Sequence, residues 1–313
     1  MTGSGIVAFA DSDDFEVALG GTGKVELLAT GRVPFRARMT QIVLPHLRLS
    51  AVEEFQPRVA FVSPAPGLVR VLLPVGRGSK FVYRGVRVEA GEIVTHSAGS
   101  AGHERLPGPC QWGDVLLSVS HLQRYGRVLA GRLFGLPPGI RRWRPALSAA
   151  ERLIALHAAA IAVARTLPGR PAGVEAAHGL EQELTEALIE CLSGSSLLAE
   201  PVSTLRCTPL MARFEAARAG HSYQKHSARE IAAALGVSAR TLRQCCKEYL
   251  DMTADRYLRA RRLQTARRAL RHADAREASV SEVARRHGFG QPGRFAASYR
   301  ALFGELPSAT LRG

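Results

Sequence analysis

The chain has 313 residues, of which 46% are hydrophobic and 22% charged, the composition of a globular protein with room for two domains. Its net charge of +15 is uneven, because positions 209–313 hold 20 Lys and Arg against nine Asp and Glu, whereas positions 1–208 hold 22 against 18. No near-apolar run is long enough to span a bilayer and the N-terminus does not resemble a signal peptide, so we expect a cytoplasmic protein without a membrane segment.

The five cysteines include no Cys-x-x-Cys pair, which argues against a disulfide framework and against a zinc site. Cys245 and Cys246 are adjacent, so both cannot ligate one tetrahedral ion without distortion. We interpret Cys246 as a small core residue, with a redox-sensing thiol as the alternative.

Residues 1–24 are rich in Gly, Ser and Asp, and we expect them to be mobile as far as Phe15. From Val25 to about Ser120, short runs rich in Val, Leu and Phe alternate with turn residues, including a hairpin turn at Arg84-Gly85. This pattern predicts an antiparallel β-sandwich or barrel. A barrel of this size can hold one small molecule, and we expect a pocket for an apolar or aromatic ligand.

Residues 121–143 are basic and rich in Gly and Pro, which predicts a loop or linker. The capping box Ser148-Ala-Ala-Glu151 opens a predicted helix that ends near Thr166, and a second helix is predicted over 171–192. The apolar faces of these helices either pack on their own barrel or pair between two copies of the chain. A short linker is predicted over 193–208.

The basic region contains two helix-turn-helix patterns. In the first, a short helix with Ile231 inside ends at Gly236, which can take the left-handed conformation of a tight turn. Ser238 supplies the N-cap oxygen of a second helix, on which Leu242 faces inward. The polar residues on the opposite side of that helix are Arg240, Arg243, Gln244 and Lys247.

In the second pattern, Val283 and Ala284 take the places of Ile231 and Ala232. Gly288 marks the turn, and Phe295 begins the apolar stripe of the following helix. The outward-facing residues of that helix are Arg294, Ala297, Ser298 and Arg300. Between the two patterns, residues 254–271 predict a helix of about 27 Å, which would set the two units roughly one DNA turn of 34 Å apart.

Residues 227–311 resemble the C-terminal DNA-binding domain of the AraC/XylS-type transcriptional regulators. The matching residues are Ile231-Ala232, Ser238, Leu242, Tyr257-Leu258, Arg262-Leu263, Ala266-Arg267, Leu270, Val283-Ala284, Gly288-Phe289, Phe295, Tyr299, Phe303-Gly304, Pro307-Ser308 and Arg312. The chain departs from the family at Cys246, Asp251 and Ala254, where Phe, Gly and Pro are usual. It also has Pro292-Gly293 at the start of the second reading helix.

The resemblance implies that Arg240, Arg243 and Gln244 read base edges in one major groove and that Arg294 reads the next. The first unit is predicted to dominate specificity, because Ala297 offers only a methyl contact. The predicted phosphate contacts are Lys247, Arg259, Arg262, Arg286 and Arg300. Arg262 has an alternative role as an ion-pair partner within the domain.

By position, residues 1–144 resemble the cupin-like effector domain of the same family. The predicted fold is therefore α+β: an antiparallel β-barrel or sandwich over 1–144, a helical dimerisation segment and linker over 145–208, and an all-α DNA-binding domain over 209–313. The resemblance implies a sequence-specific regulator, more often an activator than a repressor, with no enzymatic activity and no cofactor. The implied partners are double-stranded promoter DNA, RNA polymerase, a small-molecule effector and a second copy of the chain.

Two other functions are open. One is a cupin-type metalloenzyme with an appended basic domain, whose candidate ligands are His46, His96, His103 and His121. The lack of a His-x-His pair argues against it, so we expect no metal site. The other is a non-specific nucleic-acid-binding protein, which would bind any duplex equally. The different outward faces of the two reading helices favour sequence specificity.

Overall fold

A computed structural model describes residues 3–21, 23–31, 34–76, 78, 80–97, 99–130, 135–167, 173–220 and 226–312. Its strands are β1 (Gly3–Phe9), β2 (Gly23–Ala29), β3 (Ala37–Val43), β4 (Leu47–Glu54), β5 (Arg58–Pro64), β6 (Leu68–Leu73), β7 (Phe81–Tyr83), β8 (Val86–Val88), β9 (Ile93–Ser97), β10 (Gly102–Leu106), β11 (Cys110–Ser118), β12 (Ile140–Arg144) and β13 (Ser196–Leu197). Its helices are α1 (Ser12–Gly20), α2 (Val119–Ala130), α3 (Leu147–Thr166), α4 (Val174–Ser193), α5 (Val202–Ala219), α6 (Ala228–Ala234), α7 (Ala239–Leu250), α8 (Ala254–Arg271), α9 (Val280–Arg286), α10 (Pro292–Phe303) and α11 (Pro307–Arg312).

Within these ranges, the strands form two antiparallel sheets, as the predicted α+β fold requires. The larger has the order β1-β3-β4-β11-β6-β9-β12-β13, and the smaller has the order β2-β5-β10-β7-β8. Leu27, Phe81 and Trp112 are fully buried in one apolar core between the sheets. The predicted hairpin is confirmed, since β7 pairs with β8 across Arg84 and Gly85, both of which have positive φ.

Regular structure begins earlier than the composition predicted. β1 pairs with β3 over its whole length, from Gly3 opposite Val43 to Phe9 opposite Ala37. The composition of this segment did not predict the strand. β1 is ordered by pairing with a strand some 35 residues further along the chain, so the local sequence does not indicate that it forms. The prediction of a loop over 121–143 was wrong, because α2 and β12 occupy most of that segment.

α3 and α4 form a layer on the larger sheet, where Leu153 and Leu188 share a core with Leu49 and Val71. Packing on their own barrel, one of the two alternatives for these helices, is therefore observed. By length and composition, α3 is the one described helix that qualifies as a candidate membrane span, and its buried face lies against this sheet. The predicted capping box is absent: α3 begins at Leu147 without a side-chain cap, because the chain enters the helix directly from β12.

α5 begins at Val202, so the segment predicted as a linker is helical from that residue onward, and the helix continues through Pro209. α5 connects the two halves of the molecule, because one apolar cluster joins Leu28 and Val59 of the smaller sheet to Phe214 of α5. The same cluster extends into α6, α7 and α8. The basic region is thus packed directly on the barrel.

Cys207 of α5 and Cys245 of α7 form a disulfide, with their Cα atoms 5.3 Å apart. The sequence argued against a disulfide framework and did not indicate this single bond, because the two cysteines are 38 residues apart and only helix packing brings them together. Cys110, Cys191 and Cys246 are buried and lie outside this disulfide, so Cys246 is a core residue as predicted.

Candidate nucleic-acid interface

The first helix-turn-helix unit consists of α6 and α7. A capping box fixes the start of α6: the Ser227 side chain accepts from the backbone of Glu230, and Glu230 reaches back to the backbone of Ser227. Gly236 has φ 69° in the turn, and Ser238 Oγ accepts from Thr241 N at 3.0 Å to begin α7. The turn at Gly236 and the cap at Ser238 were predicted from the sequence, whereas the capping box at Ser227 was not.

The C-cap residue of α7 is Asp251, at the position where the resemblance leads us to expect Gly. Asp251 adopts the left-handed conformation with φ 55°, which explains why Gly is suited to this position. Its carboxylate accepts from Lys247 Nζ at 2.5 Å. Lys247, one of the predicted phosphate contacts, therefore already has an anionic neighbour, although both side chains are more than half exposed.

The outward face of α7 carries the predicted base-reading residues. Leu242 and Cys246 are buried, which directs Arg240, Arg243 and Gln244 into solvent. Neither of these two guanidinium groups has an ion pair or a side-chain hydrogen bond within the described part of the chain, whereas Gln244 Nε2 donates to Glu248 Oε1 at 2.7 Å. The two arginines thus present unsatisfied donors, the arrangement that guanine recognition uses.

The second unit consists of α9 and α10. α9 begins after Ser279, whose side chain accepts from Glu282 N. Gly288 has φ 79° in the turn, and α10 begins at Pro292 without a side-chain cap. Buried Phe295 fixes its orientation, and the ring of Phe295 lies 5.0 Å from that of the half-buried Phe289. Arg294, the predicted reader, is exposed at the N-terminal end of α10.

The remaining predicted phosphate contacts differ in whether another side chain already pairs with the guanidinium group. Arg259 Nη2 donates to Ser298 Oγ at 2.6 Å, and Arg286 Nη2 pairs with Glu282 at 2.6 Å. Arg300 is exposed and has no side-chain partner among the described residues. Arg300 is therefore the most available of these cations.

Arg262 lies against the second unit. Its guanidinium carbon is 5.7 Å from the centre of the Phe289 ring, and its Nε is buried without a hydrogen-bond partner in the described structure. Burial, together with the charge of Arg259, lowers its pKa. A cation–π contact, rather than the ion pair that was the alternative, links Arg262 to its own domain.

α8 connects the two units and has the predicted bounds. Tyr257 packs in the core of the first unit, and Leu263 and Leu270 pack in the core of the second. A third face of α8 was not recognised from the sequence, because its residues were counted as part of a basic DNA-binding surface. That face is directed at the barrel and consists of Arg261, Gln264, Arg267, Arg268 and Arg271.

Acidic residues around α1 pair with this face of α8. Arg268 Nε lies 3.0 Å from Asp13 Oδ1, and Arg271 Nη1 lies 3.0 Å from Asp11 Oδ1. Arg267 pairs with both carboxylates. Burial alone would raise the pKa of Asp11, but the hydrogen bond and the charge of Arg267 lower it. Part of the positive charge of the basic region is thus neutralised within the molecule.

The C-terminal end of α7 also contacts the barrel. Gly85 of the β7–β8 turn lies so close to Glu248 that a Cβ at this position would be 3.0 Å from the Glu248 carbonyl oxygen. Arg105 Nη1 lies 3.3 Å from Asp251 Oδ2. The barrel thus supports the far end of the reading helix and leaves its N-terminal half exposed.

The interior of the barrel holds a cavity of about 30 Å³, far smaller than the several hundred Å³ of a typical ligand pocket. Its charged lining residues are Arg48, Arg58, Arg70, Glu104 and Asp114. Arg70 Nε donates to Asp114 Oδ2 at 2.6 Å, and its guanidinium lies 5.0 Å from the Trp112 ring. Apolar residues such as Met39, Val62 and Leu116 line the same cavity, so the lining is mixed. Strand alternation predicts which residues point inward but not that charged residues pair there.

The four candidate histidines do not form one site. His96 Nδ1 lies 2.6 Å from Tyr83 Oη, and His103 Nε2 lies 2.9 Å from Glu215 Oε1. The rings of His46 and His121 stack with their centres 4.9 Å apart on the helical side of the larger sheet. They meet Glu181, a residue that sequence spacing did not connect with them.

A family model described as a helix-turn-helix domain matches residues 231–313. The chain is 39% identical over 92 residues to the probable thc operon regulatory protein of Rhodococcus erythropolis, covering 29% of this chain and 28% of that protein. It is 41% identical over 76 residues to the XylDLEGF operon transcriptional activator of Pseudomonas putida, covering 24% of each. The chain thus spans about a quarter of the length of these curated relatives.

Among solved structures, the AraC-like transcriptional activator CuxR is 15% identical and covers 83% of this chain and 94% of its own, at a TM-score of 0.44. The family model falls on the two helix-turn-helix units and on the helix that connects them. Residues 231–313 therefore form a helix-turn-helix domain.

Proposed function

We propose that the protein is a sequence-specific DNA-binding regulator of transcription, acting in the cytoplasm as an activator and not as an enzyme. The observation that carries the proposal is the outward face of α7, where Arg240 and Arg243 are exposed and unpaired in the described structure. Guanidinium groups at the N-terminal half of a reading helix are placed to bond bidentately to guanine in the major groove. The matched relatives, both named as operon regulators, support the same function.

The second unit contributes chiefly affinity. α10 begins with Pro292-Gly293 and offers Arg294 as its principal reader, so fewer base contacts are available than on α7. Arg300 of this unit and Lys247 of the first unit bind phosphates. Arg286 leaves its ion pair with Glu282 and binds a phosphate of the duplex instead. An exposed ion pair contributes only about 0–1 kcal/mol to stability, so breaking the Arg286–Glu282 pair costs little free energy.

The N-terminal domain controls the DNA-binding domain through the contact between α1 and α8. An effector, or a second copy of the chain, that binds one arrangement of this contact more tightly shifts the population towards that arrangement. Asp13, which accepts from Arg268, lies at the centre of the contact. Contact with RNA polymerase completes the proposed activation mechanism.

Capture of sheared bacterial chromosomal DNA on the purified protein, followed by sequencing, tests the proposal. We expect recurrent enrichment of a few promoter-proximal sites, and loss of that enrichment in the Arg240→Ala/Arg243→Ala double variant. The matched control is Arg36→Ala/Arg87→Ala, which removes two exposed charges from the barrel and should leave the enriched sites unchanged. Uniform recovery of all fragments by the unaltered protein contradicts sequence-specific binding.

A further inference from the structure

Three side chains with metal-ligating atoms meet on the helical side of the larger sheet. His46 lies in the turn between β3 and β4, His121 lies in the first turn of α2, and Glu181 lies in α4. Their ligand atoms all lie within 4.8 Å of one another. Because the three residues come from distant parts of the chain, only the packing of α2 and α4 on the sheet brings them together.

Glu181 already organises one side of this cluster. Its Oε2 accepts from the backbone nitrogen of His46 at 2.7 Å, and its Oε1 lies 2.9 Å from His46 Nδ1. The carboxylate is almost fully buried, whereas the His46 side chain is 50% exposed. The buried carboxylate and the half-exposed imidazole therefore share one edge of the cluster, and that edge is open to solvent.

His121 is left incompletely satisfied. It is only 3% exposed, and its Nδ1 has no hydrogen-bond partner in the described structure. Thr185 donates its hydroxyl to the carbonyl oxygen of Glu181, so Thr185 Oγ1 is an acceptor for His121 Nε2–H at 3.4 Å. This assignment leaves an unprotonated Nδ1 lone pair, the form in which imidazole binds a metal.

We propose that His46, His121 and Glu181 bind a divalent transition metal ion of the zinc type. Two imidazole nitrogens and a carboxylate oxygen are typical zinc ligands, and three protein ligands leave a fourth position for water or a small anionic ligand. Thr185 orients the His121 ring from outside the ligand set, as hydrogen-bonded partners of metal-bound histidines do. The His46–Glu181 hydrogen bond alone does not account for the unsatisfied nitrogen of His121.

Binding requires a small local rearrangement. Tetrahedral ligands about 2.0–2.2 Å from zinc are roughly 3.3–3.6 Å apart. His46 Nδ1 and Glu181 Oε1, which are 2.9 Å apart, must therefore separate slightly, while ligand atoms up to 4.8 Å apart must come closer. The stacked His46 ring is the part that moves, because it is half exposed on a turn. The ion would then fasten this turn to α2 and α4, the helical layer of the N-terminal domain.

Isothermal titration of the full-length protein with Zn²⁺, after removal of metal with a chelator, tests the proposal. We expect one Zn²⁺ per chain. His46→Ala should weaken binding by more than the roughly 10–100-fold cost of losing an outer partner of a metal ligand. Glu181→Gln keeps the size of the buried side chain and should weaken binding as well, with circular dichroism reporting whether it folds. The control is His178→Ala, an exposed histidine elsewhere on α4, which should bind zinc like the unaltered protein.

Substitution with Co²⁺ gives a second readout, because a tetrahedral site produces intense visible absorption that surface binding does not. That absorption should be absent in His46→Ala. The proposal is overturned if the unaltered protein takes up no zinc, or if His46→Ala and a folded Glu181→Gln variant both bind it with unchanged affinity. The latter result would assign the uptake to other histidines of the surface.

Discussion

His103 of the smaller sheet and Glu215 of α5 form a hydrogen bond of 2.9 Å across the junction between the barrel and the DNA-binding domain, and both side chains are almost completely buried. Arg218 Nε donates to the other oxygen of Glu215 at 2.7 Å. The carboxylate is thus fully paired inside the interface. The two domains are held together by a buried polar contact as well as by their shared apolar cluster.

Replacing Glu215 by Gln should lower the free energy of unfolding at pH 7 by about 3–5 kcal/mol, since Arg218 and His103 lose a buried charged partner. Burial alone would raise the pKa of Glu215, but the hydrogen bond and charge of His103, and then the charge of Arg218, lower it well below its ordinary value. A carboxyl group with a lowered pKa stabilises the fold above its ordinary pKa near 4.5, and this contribution is lost as the pH falls.

The difference in stability between the unaltered protein and Glu215→Gln should therefore be larger at pH 7 than at about pH 3.5. Urea denaturation at both values measures it. Glu183→Gln, an exposed residue of α4, is the control and should change little at either pH. A difference that is the same at both values would contradict the assigned ionisation of Glu215.

His96 should make the barrel less stable in mild acid. Burial lowers its pKa from 6.5 to about 4, although the Ser100 carbonyl bound to Nε2 opposes the shift. A neutral buried histidine contributes stability that is present above pH 6.5 and is lost as the pH falls towards 4. The shift corresponds to about 3 kcal/mol. His96→Gln should flatten the dependence of the free energy of unfolding on pH between these values, and an unchanged slope would exclude this role.

The contact between α1 and α8 should give a measurable coupling energy. In a double-mutant cycle of Asp13→Asn and Arg268→Gln, we expect coupling of about 0.5–3 kcal/mol, because Asp13 is largely buried. The comparison pair is Glu282 and Arg286, an exposed pair within α9, where about 0–1 kcal/mol is expected. Absence of coupling between Asp13 and Arg268 would mean that the two domains do not dock in this way in solution.

The Cys207–Cys245 disulfide should stabilise the first helix-turn-helix unit. Reduction should lower the free energy of unfolding by about 2–4 kcal/mol, because the bond closes a long loop. Mass spectrometry after alkylation under denaturing, non-reducing conditions counts the labelled thiols. Labelling of Cys110, Cys191 and Cys246 alone is expected, and labelling of all five cysteines would contradict the bond.

Arg243→Ala should relax base preference at one position of the bound site by about 1–3 kcal/mol. Arg300→Ala should instead weaken binding to all sequences alike and reduce the salt dependence by roughly one counterion. Fluorescence anisotropy with a set of single-base variants of a bound site, at two salt concentrations, separates these effects. An equal loss on every variant for Arg243→Ala would reassign that residue to the phosphates.

Local signals in the sequence predicted the DNA-binding domain closely. Caps and turns are short-range features, so Ser238, Gly236 and Gly288 were correctly placed, and the period of apolar residues gave α8 its bounds. Contacts between distant residues give no such signal. The pairing of β1 with β3 and the Cys207–Cys245 bond depend on tertiary packing, and so they were missed.

The number of basic residues in the last third of the chain overstates how many of them are available to bind DNA. Arg267 and Arg268 add to the basic excess of the last third of the chain, yet both are paired with carboxylates of the N-terminal segment. A solvated basic surface and one face of a domain interface have the same composition. Only the structure distinguishes the exposed Arg240 and Arg243 from these paired arginines.

Selection of bound duplexes from a pool of random sequence, with the full-length protein at fixed salt, tests the central proposal most directly. We predict an enriched motif with its strongest positions in one half, read by α7, and a weaker half about 10 base pairs away, contacted by α10. Equal recovery of all sequences, with affinity governed only by salt, would contradict sequence-specific recognition by the two units.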